Sequence, residues 1–159
     1  ECIDIEAAND EATASKLWHA RKALSPALRK IAPKKINEDI VVPVSKIPVL
    51  IERLNNLSQK HSIPIVNFGH AGNGNIHTNL LVDPNDSHQM SSAHACLDEV
   101  FALVIELEGT LSGEHGVGIE KQAFLPLEIE PAALELMRNI KRVFDPKNIL
   151  NPGKVFPCE

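Results

Sequence analysis

The sequence predicts an α+β fold: one antiparallel sheet with helices packed on one face. Three observations predict it. Apolar residues recur at three/four spacing in long stretches, short runs of strand composition lie between them, and two of those runs flank an Asn-Gly pair. The order of runs, β-α-β-α-β-β-α-α, keeps strands and helices too mixed for a bundle and lacks the regular alternation of a parallel sheet.

Residues 1–6, ECIDIE, alternate as the end of a strand would. Asn9 or Asp10 caps a helix running to about Lys30, with Leu17, Trp18, Leu24, Leu28 and Ile31 loosely on one side. Pro26 predicts a kink or break there, because it lacks an amide donor. Residues 36–42, INEDIVV, read as a strand ending at Pro43. Ser45 opens a helix to about His61 whose stripe is Ile47, Leu50, Ile51, Leu54 and Leu57. Strands follow at 63–69 and 75–82, then a helix over about 87–108 with Leu97, Val100, Phe101 and Val104 inward. A glycine-rich segment, 109–118, precedes a last helix at 131–144 that begins with Pro131 and keeps Leu134, Met137, Ile140 and Phe144 periodic. Asp145-Pro146 stops it. The plan expected is a ferredoxin-like sheet, present as part of a domain. The chain opens Glu1-Cys2-Ile3, without Met, so the reading is a piece of a longer polypeptide.

Composition narrows the function. The 16 Lys and Arg against 21 Asp and Glu leave a net charge of −5, which argues against a nucleic-acid groove or a polybasic membrane patch. No apolar run approaches the roughly 18–20 residues of a membrane span. With no Tyr, one Trp and five Phe, a base-stacking platform is not expected. Cys2, Cys96 and Cys158 are odd in number and far apart, so they read as reduced thiols in a cytoplasm-like compartment.

Seven of the eight glycines lie between Gly69 and Gly118, in two clusters. Both read G-x-x-G-x-G, the wrong order for a dinucleotide fingerprint, and neither carries the G-K-[ST] of a phosphate loop. In the first, Asn73-Gly74 signals a two-residue turn, which would set His70 directly opposite His77 on one face. Opposed side chains lie roughly 4.5–5.5 Å apart at Cβ, a separation from which two imidazoles converge on one ion. The second cluster adds Glu114 and His115. Two His and one carboxylate form an open zinc or iron(II) set, here His70, His77 and Glu114. His115 is then left for proton transfer, as its ordinary pKa lies near neutrality. The alternatives are a solvated hairpin for the two histidines and a surface Glu-His pair in a flexible loop. His19, His61, His88 and His94 read as solvated or structural, and Arg21 as a surface charge or an anion holder.

Three runs, NFGHAGNGNIHTNLL (67–81), LSGEHGVGIEK (111–121) and FDPKNILNPGKVF (144–156), resemble the C-terminal substrate domain of FAD-linked oxidases. That family includes D-lactate dehydrogenase, the flavin subunit of glycolate oxidase and D-2-hydroxyglutarate dehydrogenase. The resemblance covers nearly the whole chain and is weakest in the first 45 residues. It implies that His70, His77 and Glu114 are ligands of a divalent metal, Zn²⁺, and that His115 is the catalytic base. It implies substrate contacts from Asn79, from Arg21 on the carboxylate, and from Ser25, with Asn151 near the flavin ring. Some relatives place a substrate-binding Lys just before the 36–42 strand, where this chain has Asn37, with Lys34 and Lys35 slightly upstream.

The expected activity is oxidation of a small D-2-hydroxy acid, with FAD bound mainly by an N-terminal domain outside this chain. The 159 residues would then form the C-terminal part of the substrate domain, inactive alone, with the missing part preceding Glu1. Expected partners are the FAD domain, an electron-acceptor subunit and further copies in a homo-oligomer, in a cytoplasmic, membrane-associated or mitochondrial setting. Two other readings stay open on the residues alone: a metal-dependent hydrolase using the same set without flavin, and a non-catalytic subunit-interaction domain.

Overall fold

The computed structural model describes residues 4–156. Residues 4–8 carry no regular structure, and the rest of the expected first strand, with Cys2 and Cys158, lies outside the described residues. Five helices and three strands follow: α1 Glu11–Ala27, β1 Lys34–Val41, α2 Ile47–His61, β2 Ile65–His70, β3 Asn75–Val82, α3 Ser87–Glu106, α4 Leu125–Glu128 and α5 Pro131–Phe144. The sheet is antiparallel throughout, in the order β1-β3-β2.

Period-2 alternation divides the sheet into two unlike faces. Ile40 of β1 and Ile76, Leu80 and Val82 of β3 point one way and are buried with Leu50 and Leu54 of α2 and Val100, Phe101 and Val104 of α3. Fully burying such side chains stabilises by about 1.5–3 kcal/mol each. The other face carries Asn37 and Asp39 of β1, Phe68 and His70 of β2, and Asn75, His77 and Asn79 of β3. The helix-facing side is therefore the core, and the polar side is where the site forms.

Each helix start has a local cause. Asp10 caps α1 by accepting the Thr13 amide at 2.7 Å, and Asp86 caps α3 by accepting that of Gln89 at 3.0 Å. Pro48 sits in the first turn of α2 and Pro131 in that of α5, where no intrahelical donor is lost. Among the described residues, α2 and α3 are the long helices that cover the core face. Helix α1 buries none of its residues and reaches the polar face instead, where Arg21 lies 4.8 Å from the centre of the Phe68 ring. Its expected apolar side is thus not a core stripe: Trp18 is 58% exposed, and only Leu28, just beyond the helix, is buried. Pro26 does not break α1; the chain tightens to a 3₁₀ turn at Leu28–Lys30.

A ferredoxin-like sheet would add a strand beside β1 after α3. Here that place holds a loop. Thr110 makes one antiparallel bridge to Val41, the Gly113 amide donates to Asp39 O at 3.1 Å, and the chain then turns away. Gly113 is required at this approach, since a Cβ there would lie 2.5 Å from Asn75 Nδ2 and 2.7 Å from Val41 Cγ2. The edge of β1 therefore delivers the second glycine cluster to the polar face.

Candidate metal centre

The two histidines reach one face by a register other than the expected one. His70 pairs with Asn75, and His77 with Phe68. The turn is a four-residue loop, with a 3₁₀ turn at Ala71–Asn73 and Gly74 left-handed at φ 79°. The cause is tertiary. The Val42 amide donates to Gly74 O at 3.1 Å, and a Cβ on Gly74 would lie 2.0 Å from Val42 O, so the loop is shaped against the end of β1. A shift of two residues leaves every side chain on its original face. His70 and His77 are diagonal rather than opposed, with ring centres 5.6 Å apart.

Glu114 completes the group. Its Oε1 lies 3.3 Å from His77 Nε2 and 3.6 Å from His70 Nε2. One donor atom from each of the three residues lies within 4.8 Å of the others. Bonds of 2.0–2.1 Å in a tetrahedral shell separate ligand atoms by about 3.4 Å, so the donor set fits a zinc-type ion. Asn75 holds the carboxylate from the side, donating Nδ2 to Glu114 Oε1 at 3.2 Å, while its own Oδ1 is buried without a hydrogen-bond partner. Burial, then the nearby His115, Arg21 and His70 charges, pulls His77 below its ordinary pKa; Glu114 opposes this. A neutral imidazole is the form that ligates a metal.

His115 stacks on His77, with ring centres 5.5 Å apart and planes 21° from parallel. The sequence reading missed what lies beneath it. Asp39, fully buried, accepts the amides of Glu114 at 2.5 Å and His115 at 2.8 Å on Oδ2, and Lys121 Nζ at 2.6 Å on Oδ1. Lys121 is also buried, donates to Leu111 O at 2.7 Å, and lies 3.4 Å from Glu38 Oε2. Burial alone would raise Asp39, but the Glu114 amide, Lys121 and the His115 amide outweigh it and hold the carboxyl well below the usual range. Glu38, on the core face, is instead pushed up by burial despite Lys121.

The other expected residues fall around this centre. Arg21 lies over Phe68, the neighbour of His77 across the sheet. With Leu17, Trp18, Gly69 and His70 it lines a cavity of about 360 Å³ between α1 and β2. Asn79 is buried and its amide is spent. It donates to Val66 O and His77 O, and accepts from Asn37 Nδ2 at 2.9 Å and Lys35 Nζ at 3.3 Å. Ser25 accepts Lys35 Nζ at 2.6 Å. Lys35, lowered in pKa by burial and then by Arg29, thus joins α1 to the polar face next to Asn37. Asn151 is exposed, with a left-handed backbone at φ 48°, in a tail tied to the second cluster by the Val155 amide on Gly118 O at 2.7 Å. His61 is structural, pairing with Glu99 of α3 at 2.8 Å.

A family model described as FAD linked oxidases, C-terminal domain, matches residues 2–155. The chain belongs to this family. Among the relatives of this FAD-linked oxidase domain, the Bacillus subtilis (strain 168) protein named Glycolate oxidase subunit GlcD is 37% identical over 156 residues, covering 98% of this chain and 33% of that protein. The Archaeoglobus fulgidus protein named D-lactate dehydrogenase is 39% identical over 153 residues, covering 96% of this chain and 33% of the relative. The Stutzerimonas stutzeri protein named D-2-hydroxyglutarate dehydrogenase is 35% identical over 158 residues, covering 97% and 34%. The chain spans about a third of the length of these relatives. Among the described residues, no helix is long and apolar enough to cross a membrane.

Proposed function

We propose that this FAD-linked oxidase domain is the substrate-binding part of a flavin-dependent dehydrogenase or oxidase of a small D-2-hydroxy acid. The observation that carries the reading is the convergence of His70, His77 and Glu114, with His115 stacked at its edge. His70 and His77 would hold a divalent cation, Zn²⁺, through Nε2 and Glu114 through its carboxylate. When bound, such a cation supplies Lewis acidity that lowers the pKa of an alcohol. FAD, held mainly by a domain outside this chain, would supply a two-electron acceptor, and Asn151 is the residue of this chain that would lie near it.

The chain's own residues do the rest. Arg21 pairs with the substrate carboxylate and so fixes which face of Cα is presented. His115 takes the hydroxyl proton. Asn79 and Ser25 would line the substrate side, joined by Lys35, which donates to both, while Asn37 donates to Asn79. The relatives' names suggest lactate, glycolate or hydroxyglutarate as the substrate, and the word subunit in one of them suggests a partner chain.

The test is metal content and turnover together. The 159-residue chain is expected to bind Zn²⁺ or Co²⁺ one-to-one, and His70→Ala or His77→Ala to weaken binding at least tenfold. In the full-length enzyme, His115→Ala is expected to cut kcat by about 10²–10⁴ with metal retained. Full activity with both histidines replaced would overturn the reading, as would chelator-sensitive ester hydrolysis by the chain alone.

A further inference from the structure

Three consecutive amides end on one residue. Gly113 N–H donates to Asp39 O at 3.1 Å, and Glu114 N–H and His115 N–H donate to Asp39 Oδ2. The other oxygen, Oδ1, takes Lys121 Nζ at 2.6 Å and lies 3.5 Å from both Ser112 Oγ and His115 Nδ1. Asp39 pairs directly with His77 across the sheet, so this carboxylate sits beneath the whole constellation. A fully buried carboxylate is costly unless its lone pairs are met, and here N–H groups of the loop meet them.

We propose that Asp39, clamped by Lys121, is the positioning residue of the site, aiming Glu114 at the two histidines and setting the tautomer of His115. Adjacent residues on an extended strand point oppositely, yet Glu114 and His115 both face His77. Sharing one acceptor between their two amides curls the backbone so that both side chains turn inward. The Asp39 carboxylate then offers His115 Nδ1 an acceptor, which favours the proton on Nδ1. Nε2 keeps its lone pair and is the atom that accepts a proton. Ser112 Oγ and Lys121 Nζ also donate to Oδ1 and share that oxygen with the ring. The assignment rests on the proposed reading of the centre, but its two consequences can be measured without turnover.

The experiment compares the 159-residue chain with Asp39→Asn. Co²⁺ is the metal probe, followed by its visible absorption and by calorimetry. The His115 tautomer is read in metal-free protein from ¹⁵N shifts and long-range ¹H–¹⁵N couplings above the imidazole titration. The wild type is expected to show His115 as the Nδ1–H form. Asp39→Asn is expected to shift it toward Nε2–H and to weaken Co²⁺ about 10–100-fold, the range for partners behind a ligand. Leu54→Ala, a destabilised core control in α2, is expected to move neither. An unchanged tautomer or an unchanged Co²⁺ affinity in Asp39→Asn overturns the proposal, and so does equal loss in the core control. A wild-type His115 in the Nε2–H form overturns it even if the variant does not fold. Absence of Co²⁺ binding by the wild type would sink the metal reading itself, while the tautomer still judges Asp39.

Discussion

His77 shows how burial selects a protonation state. Its pKa is lowered mainly by burial, so the unfolded chain takes up that proton before the folded one does. Stability is then lost as pH falls through the ordinary value of 6.5 toward the folded value. The metal-free chain is expected to melt at a lower temperature at pH 5 than at pH 7, and His77→Gln to flatten that slope in thermal scans. Asp39 acts in a lower window. Its folded pKa is depressed, so its contribution is full above the unfolded value of about 3.9 and is lost as pH falls below it. The sequence made His70, His77, Glu114 and His115 legible because each sits inside a glycine cluster. Asp39 and Lys121 were not legible. One lies in a strand among aliphatics and the other past the loop, and only the sheet brings 39, 77 and 113–121 together. A signal existed in INEDIVV: alternation puts Asn37 and Asp39 on the face opposite Ile36 and Ile40.

Among the elements, α2 and α3 were readable from their stripes because a single buried face is what their spacing encodes. Helix α1 was not, since it lies over a polar face and its apolar residues remain outside. The hairpin kept its faces but not its register, because the demand from Val42 is invisible in the local letters. Gly74→Ala is accordingly expected to cost about 1–3 kcal/mol in chemical denaturation, from the left-handed backbone and the clash with Val42 O. Within α3, Phe101 is fully buried and packs on Phe124 with ring centres 4.4 Å apart. Phe101→Ala should lose about 3–5 kcal/mol in the same measurement. Cys96 lies in that helix with its thiol pushed up to about 11 by burial. With Cys2 and Cys158 replaced by Ser, native protein should resist thiol reagents at neutral pH, and unfolded protein should label at once; rapid native labelling would contradict the packing.

Viewed whole, the molecule is unevenly finished. The core face is closed by α2 and α3, whereas α5 buries only Leu134 and leaves Leu136, Ile140, Val143 and Phe144 exposed, followed by Ile149 and Leu150. Residues 138–154 also carry five cations against Asp145 alone, in a chain of net charge −5. Apolar surface of this kind favours association. The isolated chain is expected to self-associate in sedimentation velocity, and Val143→Glu with Phe144→Glu to return it to monomer without altering Co²⁺ affinity. A wild-type chain that stays monomeric at high concentration would contradict this.

One backbone link joins that unfinished side to the chemistry. The Val155 amide grips Gly118 O, three residues past His115. A pull on Val155 is therefore felt at His115 through one hydrogen bond and three residues of backbone, and severing the chain ahead of Val155 would leave the imidazole on a slacker leash.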